Sequence, residues 1–213
     1  QLLLLSGRLV CLILDLATRE NCYWSLVDNG SQEPPPARTP LVRQPPQDKN
    51  AAATLLAAAE KRMKLGYFTM PVHPPARSYV ETLKEDREAF ILADRLGYSE
   101  GYCGEHLTDA AENIPNSMMF IATLLGVTAQ IKVGTAVVNL PHTHPVVVAS
   151  NAAMLDNLFE GRFILGIGAG VLRSDAEALG LLEADRNDMF AEAIDHILAL
   201  WAGTAQIDLK GKY

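Results

Sequence analysis

Four short stretches of this chain carry residue types that can do chemistry: His73, Glu105-His106, His142-Thr143-His144 and Gly166-Ile167-Gly168-Ala169-Gly170. A histidine beside a carboxylate can take, give or hold a proton near neutral pH. At Glu105-His106 the same residues also fit a histidine that only braces a loop carbonyl. His142 and His144 are spaced so that two imidazoles can meet one metal ion. Against that, Pro141 and Pro145 flank the pair, His144-Pro145 fits a helix start, and no Asp or Lys at a later strand end completes a ligand set. The sequence reading is therefore no bound metal. The glycine run allows close backbone approach to a ligand and offers free N–H groups to an anion, or else is a plain turn at a rim. It fails as a dinucleotide fingerprint: Val171 takes the place of the third glycine, and no acidic residue ends a strand about 20 residues on.

Each stretch lies where a β-rich run stops: Lys64–Met70, Glu100–Glu105, Ile131–Leu140 and Arg162–Gly168, with starts spaced by 36, 31 and 31 residues. Parallel strands need crossovers of about a dozen residues or more, so the period predicts consecutive βα units of a parallel sheet. Ligands bind at the C-terminal ends of such strands, in barrels and open sheets alike. Helices are expected over Tyr79–Leu96, Asn116–Ala129, Val146–Phe159 and Asp185–Trp201. The first should turn Val80, Leu83, Phe90, Ala93 and Leu96 inward, and the second Met118, Ile121, Ala122 and Leu125. Leu65–Phe68 reads as a buried first strand, and Cys103 as core packing.

A barrel of eight βα units takes about 250 residues, and only about four units fit in these 213. The expected fold class is α/β, of (β/α)8 TIM-barrel type, with the first four units present. Gln1 at the start, and a further β-leaning run at Gln206–Leu209 near the end, give the expectation of a fragment. Residues 1–62 are expected to be an unstructured or spurious leader and linker. Pro34–Pro36, Pro40 and Pro45-Pro46 make that stretch extended, though Ala51–Arg62 has helical propensity. Residues 63–213 are expected to hold the domain. Arg8 and Asp15 interrupt the apolar start, leaving it too short to cross a membrane, and a basic n-region and small-residue cleavage site are missing.

The net charge is −7 and unevenly placed: residues 1–62 carry 7 basic and 6 acidic side chains, residues 63–213 carry 11 and 19. An acidic domain without a basic stripe disfavours nucleic acid as a partner. Three cysteines without CxxC spacing argue against a disulfide framework and fit a reducing, cytoplasmic setting.

Five blocks in order carry a resemblance: Met63-Lys-Leu-Gly-Tyr-Phe, Gly101-Tyr-Cys-Gly-Glu-His106, Val133-Gly-Thr-Ala-Val-Val-Asn-Leu-Pro141, His144-Pro-Val and Gly161-Arg-Phe-Ile-Leu-Gly-Ile-Gly168. Together they resemble the bacterial-luciferase-like flavin-dependent monooxygenases, and within these the limonene 1,2-monooxygenase-like branch. The resemblance implies a usually dimeric (β/α)8 barrel that binds FMN at its C-terminal mouth. Reduced FMN, often delivered by a separate flavin reductase, would react with O2 to a C4a-hydroperoxide that inserts one oxygen atom into a small apolar substrate. It also implies that Glu105 and His106 flank the flavin as catalytic residues and that Ala136-Val137 forms a cis peptide beneath the flavin ring. Gly170, Val171 and Leu172 then lie near the phosphate. Luciferase has a reactive cysteine and a phosphate-binding arginine where this chain has Gly168 and Ala169, so luminescence with long-chain aldehydes is not expected. Arg173, followed by Ser174, is the nearest candidate for the phosphate charge. Alternative readings are an F420-dependent hydride-transfer enzyme on the same barrel, a metal-dependent hydrolase using His142 and His144, and an inactive fragment with two raw sheet edges.

Overall fold

The computed structural model describes residues 64–203 and 210–213, together with the backbone of two strands, β1 (Leu9–Asp15) and β2 (Cys22–Val27). The remaining expectations for residues 1–63, and the run Gln206–Leu209, lie outside the described residues. The other strands are β3 (Gly66–Thr69), β4 (Glu100–Cys103), β5 (Lys132–Thr135), β6 (Val138–Asn139) and β7 (Phe163–Gly168). The helices are α1 (Tyr79–Arg95), α2 (Ser117–Ala122), α3 (Pro145–Leu158), α4 (Arg173–Ala178) and α5 (Arg186–Trp201), with a 3₁₀ turn at Leu140–His142.

β3, β4, β5 and β7 are parallel neighbours in that order, with Gly66 opposite Glu100, Glu100 opposite Lys132, and Val133 opposite Phe163. The single expected strand over Ile131–Leu140 is two strands, β5 and β6, and the Ala136–Val137 peptide bond between them is cis. Its second piece, β6, pairs with β7 at Val138 and Ile167. β1 and β2 form an antiparallel hairpin, and β1 runs antiparallel to β7, Leu12 opposite Ile167. Over these two strands the expectation of an unstructured leader is corrected. Both are short apolar runs, and the edge of β7 presents unpaired backbone groups that such a run can satisfy.

The helices start where the sequence provides caps. Ser78 Oγ accepts from the Glu81 amide, Asn116 from Met119, and Asp185 from Asn187 and Asp188. Pro145 stands at the first turn of α3, and its N-cap is His144, whose Nδ1 accepts from the Val146 amide at 3.3 Å. The core lies between sheet and helices, around Phe90, Ile121, Leu124, Ile131, Val133, Phe159, Phe163 and Ile197. Gly101 is required there: a Cβ at that position would stand 2.9 Å from the Phe90 ring.

Three packing expectations are corrected. The first strand is not buried, since Leu65 and Phe68 are 56% and 58% exposed. Among the described residues β3 pairs on one side only, with β4. The buried face of α1 is displaced from the expected one: Val80 and Leu96 are exposed, while Thr82, Asp86 and Asp94 are buried beside Phe90 and Ala93. Asp86 is paired with His73 at 3.0 Å, and Asp94 accepts three backbone amides. In α2 the inward set is Met118, Phe120 and Ile121, with Leu124 following, because the helix ends at Ala122 and changes the phase.

Candidate active site

Three of the four expected stretches come together at the C-terminal ends of β4 to β7, with one division of labour; His73 follows β3 and pairs with Asp86 instead. Glu105 is a brace. Its Oε2 accepts from the Ser117 amide (2.8 Å) and hydroxyl (2.6 Å), and its Oε1 from the Asn139 amide (3.2 Å). It ties β4 to the start of α2 and to β6. Burial pushes its carboxyl up, and the bonds from Ser117 and Asn139 and the nearby His106 undo only part of this.

His106 stands between two carboxylates. Its Nδ1 lies 3.1 Å from Asp175 Oδ2, and its Nε2 lies 3.7 Å from Glu112 Oε2. Asp175 is wholly buried. It also accepts from the amides of Leu107 (3.3 Å) and Thr108 (2.9 Å) and from the Thr108 hydroxyl (2.7 Å). Burial alone would raise this carboxyl; the bonds from Thr108, His106 and the two amides outweigh it and hold it below the usual carboxylate range. Asp175 therefore stays ionised and fixes the ring of His106.

The residues after β7 form the rim. Gly170 has φ +72°, and a Cβ there would stand 2.8 Å from His142 Nε2. Its carbonyl accepts from Arg186 at 2.6 Å. Val171 is exposed, Leu172 is the N-cap of α4, and Arg173 begins that helix as an exposed cation. Gly166 and Gly168 pack against the chain itself. Gly166 packs on the Thr135 carbonyl and exchanges hydrogen bonds with its hydroxyl (2.7 and 2.9 Å), and a Cβ on Gly168 would stand 2.6 Å from Val137. Their lack of a side chain brings β7 against the β5–β6 break, so of the three glycines only Gly170 stays at the rim.

Ala136 and Val137, joined by the cis bond, are half-buried. His142 points its Nε2 into the interior, where it has no hydrogen-bond partner; burial pushes its pKa down, with Asp175 opposing and Arg186 and His106 adding to the fall. His144 is engaged in capping. Among the described residues no group of three or more His, Cys, Asp or Glu stands together as a metal site. Cys103 is buried and its thiol pushed up, chiefly by burial. A cavity of about 220 Å³ is lined by the 3₁₀ turn and by His144, Glu192, His196 and Tyr213 among others. His106, Asp175 and Gly170 are not in its wall.

Sequence reasoning missed Asp175, Glu112 and Arg186. The two acids lie 69 and 6 positions from His106 with no motif linking them to it. Arg186 stands inside a helix start, where a basic residue carries no signal.

The chain is 41% identical over 143 residues to 4-hydroxyprotoasukamycin monooxygenase of Streptomyces nodosus subsp. asukaensis, covering 67% of this chain and 38% of that protein. It is 37% identical over 142 residues to limonene 1,2-monooxygenase of Rhodococcus erythropolis, covering 67% and 37%. Among solved structures it resembles the FMN complex of the oxygenating constituent of 3,6-diketocamphane monooxygenase from Pseudomonas putida. That likeness has a TM-score of 0.63 and 31% identity, and covers 65% of this chain and 39% of that one. The chain thus spans about two fifths of the length of the curated relatives it matches. Its parallel strands and alternating helices are the first four βα units of a (β/α)8 barrel. The model of luciferase-like monooxygenases matches residues 63–213, and the chain belongs to that family.

Proposed function

We infer that the complete protein carrying this chain is an FMN-dependent monooxygenase that transfers one oxygen atom of O2 to a small apolar substrate. The observation that carries this reading is His106, locked through Nδ1 on an ionised, wholly buried Asp175 at the end of β4. Such a ring is positioned to hold or move a proton at a reacting oxygen. The residues present fit a flavin. The half-buried Ala136-Val137 offers an apolar surface, and Gly170 leaves room beside His142 that a side chain would fill. Two cations, Arg186 and Arg173, stand at the same rim.

When bound, reduced FMN supplies the electrons that activate O2. This chain's residues bind, orient and manage protons: Glu105 holds β4, α2 and β6 in register, Asp175 orients His106, and His106 presents Nε2. The names of the relatives, for limonene, diketocamphane and hydroxyprotoasukamycin, support an organic substrate but differ among themselves, so the substrate class stays broad. A separate flavin reductase and a homodimer follow from the same family reading. Residues 63–213 are taken as the part that carries the site. No helix among the described residues is long and apolar enough to cross a membrane. Turnover under ¹⁸O2 with reduced FMN and limonene as a probe substrate is expected to place one labelled atom in the product. Label confined to water and peroxide with limonene, and equally with a diketocamphane and with other small organic probes, overturns the reading.

The phosphate test follows from the rim. A charge-assisted bond to phosphate contributes about 1.5–3 kcal/mol, so Arg173→Ala is expected to weaken FMN about 10- to 150-fold while riboflavin binding barely changes. Arg186→Ala removes a second rim cation and is expected to act in the same direction. Arg186 also supports the Gly170 carbonyl, so its loss should weaken riboflavin measurably as well. Calorimetric titration with both flavins separates the two roles. Equal losses for FMN and riboflavin in Arg173→Ala, or none, place the phosphate elsewhere.

A further inference from the structure

The His106 ring has a carboxylate on each side, and the two are held differently. Asp175 is ionised and can only accept, so Nδ1 carries the proton of their 3.1 Å contact. On the other side Glu112 Oε2 stands 3.7 Å from Nε2 and is buried without a hydrogen-bond partner. With Nδ1 protonated, a neutral ring turns the Nε2 lone pair toward Glu112. A lone pair facing an ionised carboxylate in a site shielded from water is unfavourable, and one proton between them removes the conflict.

We propose that Glu112 and His106 hold one shared proton at the barrel mouth, which makes Glu112 the positioning residue for the Nε2 proton of His106. The proton rests on Nε2 opposite an ionised Glu112, or on Glu112 opposite the Nε2 lone pair; the total is the same. At 3.7 Å the pair is longer than a hydrogen bond. A ligand oxygen arriving at Nε2 can therefore take the proton without first displacing a short, strong partner. In that transfer one proton leaves the pair for the ligand oxygen and no electrons move.

The loop that carries Glu112 is tied down. Val72 and Glu112 form an isolated antiparallel bridge, the His73 amide donates to the Ala111 carbonyl at 2.7 Å, and Asp109 Oδ1 accepts from the Ala111 amide at 2.8 Å. The ionisable groups around the pair are Asp109 on the same loop, Glu105 after β4, Asp175 on α4, and His142 on the 3₁₀ turn with Arg186 behind it. Burial lifts the Glu112 carboxyl; His106 opposes that, and Asp109 and Asp175 add to it. A carboxyl so raised is suited to sharing a proton.

The catalytic use of this proton rests on the monooxygenase reading; the shared proton does not. The test is NMR of the complete protein without flavin, with ¹⁵N-histidine and ¹³C-glutamate labels, titrated over about pH 4 to 9, the range spanning free Glu and His. The Glu112 carboxyl and His106 Nε2 signals are expected to respond to each other's titration. Glu112→Gln, which removes the facing negative charge, is expected to move the loss of the Nε2 proton to lower pH. Glu112→Asp, which keeps the charge, should restore part of it. If the Gln variant does not fold, the wild-type titration decides alone. Independent steps for the two groups, or an unmoved His106 step in Glu112→Gln, overturn the proposal. Because no turnover is measured, this outcome is separable from the ¹⁸O2 result.

Discussion

Replacing His106 by alanine is expected to lower substrate oxygenation by about 10²-fold or more in the complete protein, the usual loss for a positioned acid–base group. Flavin oxidation should continue and release peroxide instead of product. The fold should survive, because Asp175 keeps its three contacts from Leu107 and Thr108, and Glu105 keeps those from Ser117 and Asn139. Product and peroxide measured side by side distinguish this from a binding defect: peroxide rises as product falls. Unchanged product formation removes His106 from the chemistry.

Asp94→Ala should be among the most destabilising changes in the chain, at about 3 kcal/mol, since hydrogen bonds to a charged group contribute about 1.5–3 kcal/mol and stranded buried donors add to the loss. Asp94 sits near the end of α1 and accepts from the amides of Ala129, Gln130 and Ile131 at 2.9, 2.9 and 2.8 Å. It thereby fixes where β5 begins. Burial would raise this carboxyl, but those three amides, with Arg162 nearby, bring it below its ordinary value. A carboxyl depressed in the folded state stabilises fully above the ordinary carboxylate range, and that contribution fades as pH falls through the folded value. The difference between wild type and Asp94→Ala in denaturant unfolding should thus be large at neutral pH and shrink in acid. A gap that does not vary with pH would mean that packing, not the charge, is what Asp94 supplies.

The repeat of strand and helix was legible because its causes are local. Periodicity, the caps at Ser78, Asn116 and Asp185, and Pro145 at a helix start each act within a few residues, and the structure places helices there. The collection of His106, the 3₁₀ turn and the glycine run at one end of the sheet also follows from sequence, since parallel strands with similar crossovers must all end on the same side. What was not legible depends on contacts between distant segments. Nothing local says that Glu105 braces while His106 faces Asp175, because neighbouring residues at a strand end diverge in ways set by what packs on each. The burial of Asp86 and Asp94 on α1 was likewise hidden, since a carboxylate reads as solvated until a partner such as His73, or a row of amides, is known to meet it.

The five blocks in register carried the resemblance to the family, and the barrel and its mouth were what that resemblance implied. The tertiary structure alone decided the chemistry's detail. Gly166 and Gly168 are structural and Gly170 is the rim position, because only folding brings β7 against Thr135 and Val137. His106 stands between Asp175 and Glu112 because α4 and the loop after β4 converge on it from opposite directions. Where a proton rests is fixed by the groups around it in space, and 69 residues of chain separate His106 from the carboxylate that orients it.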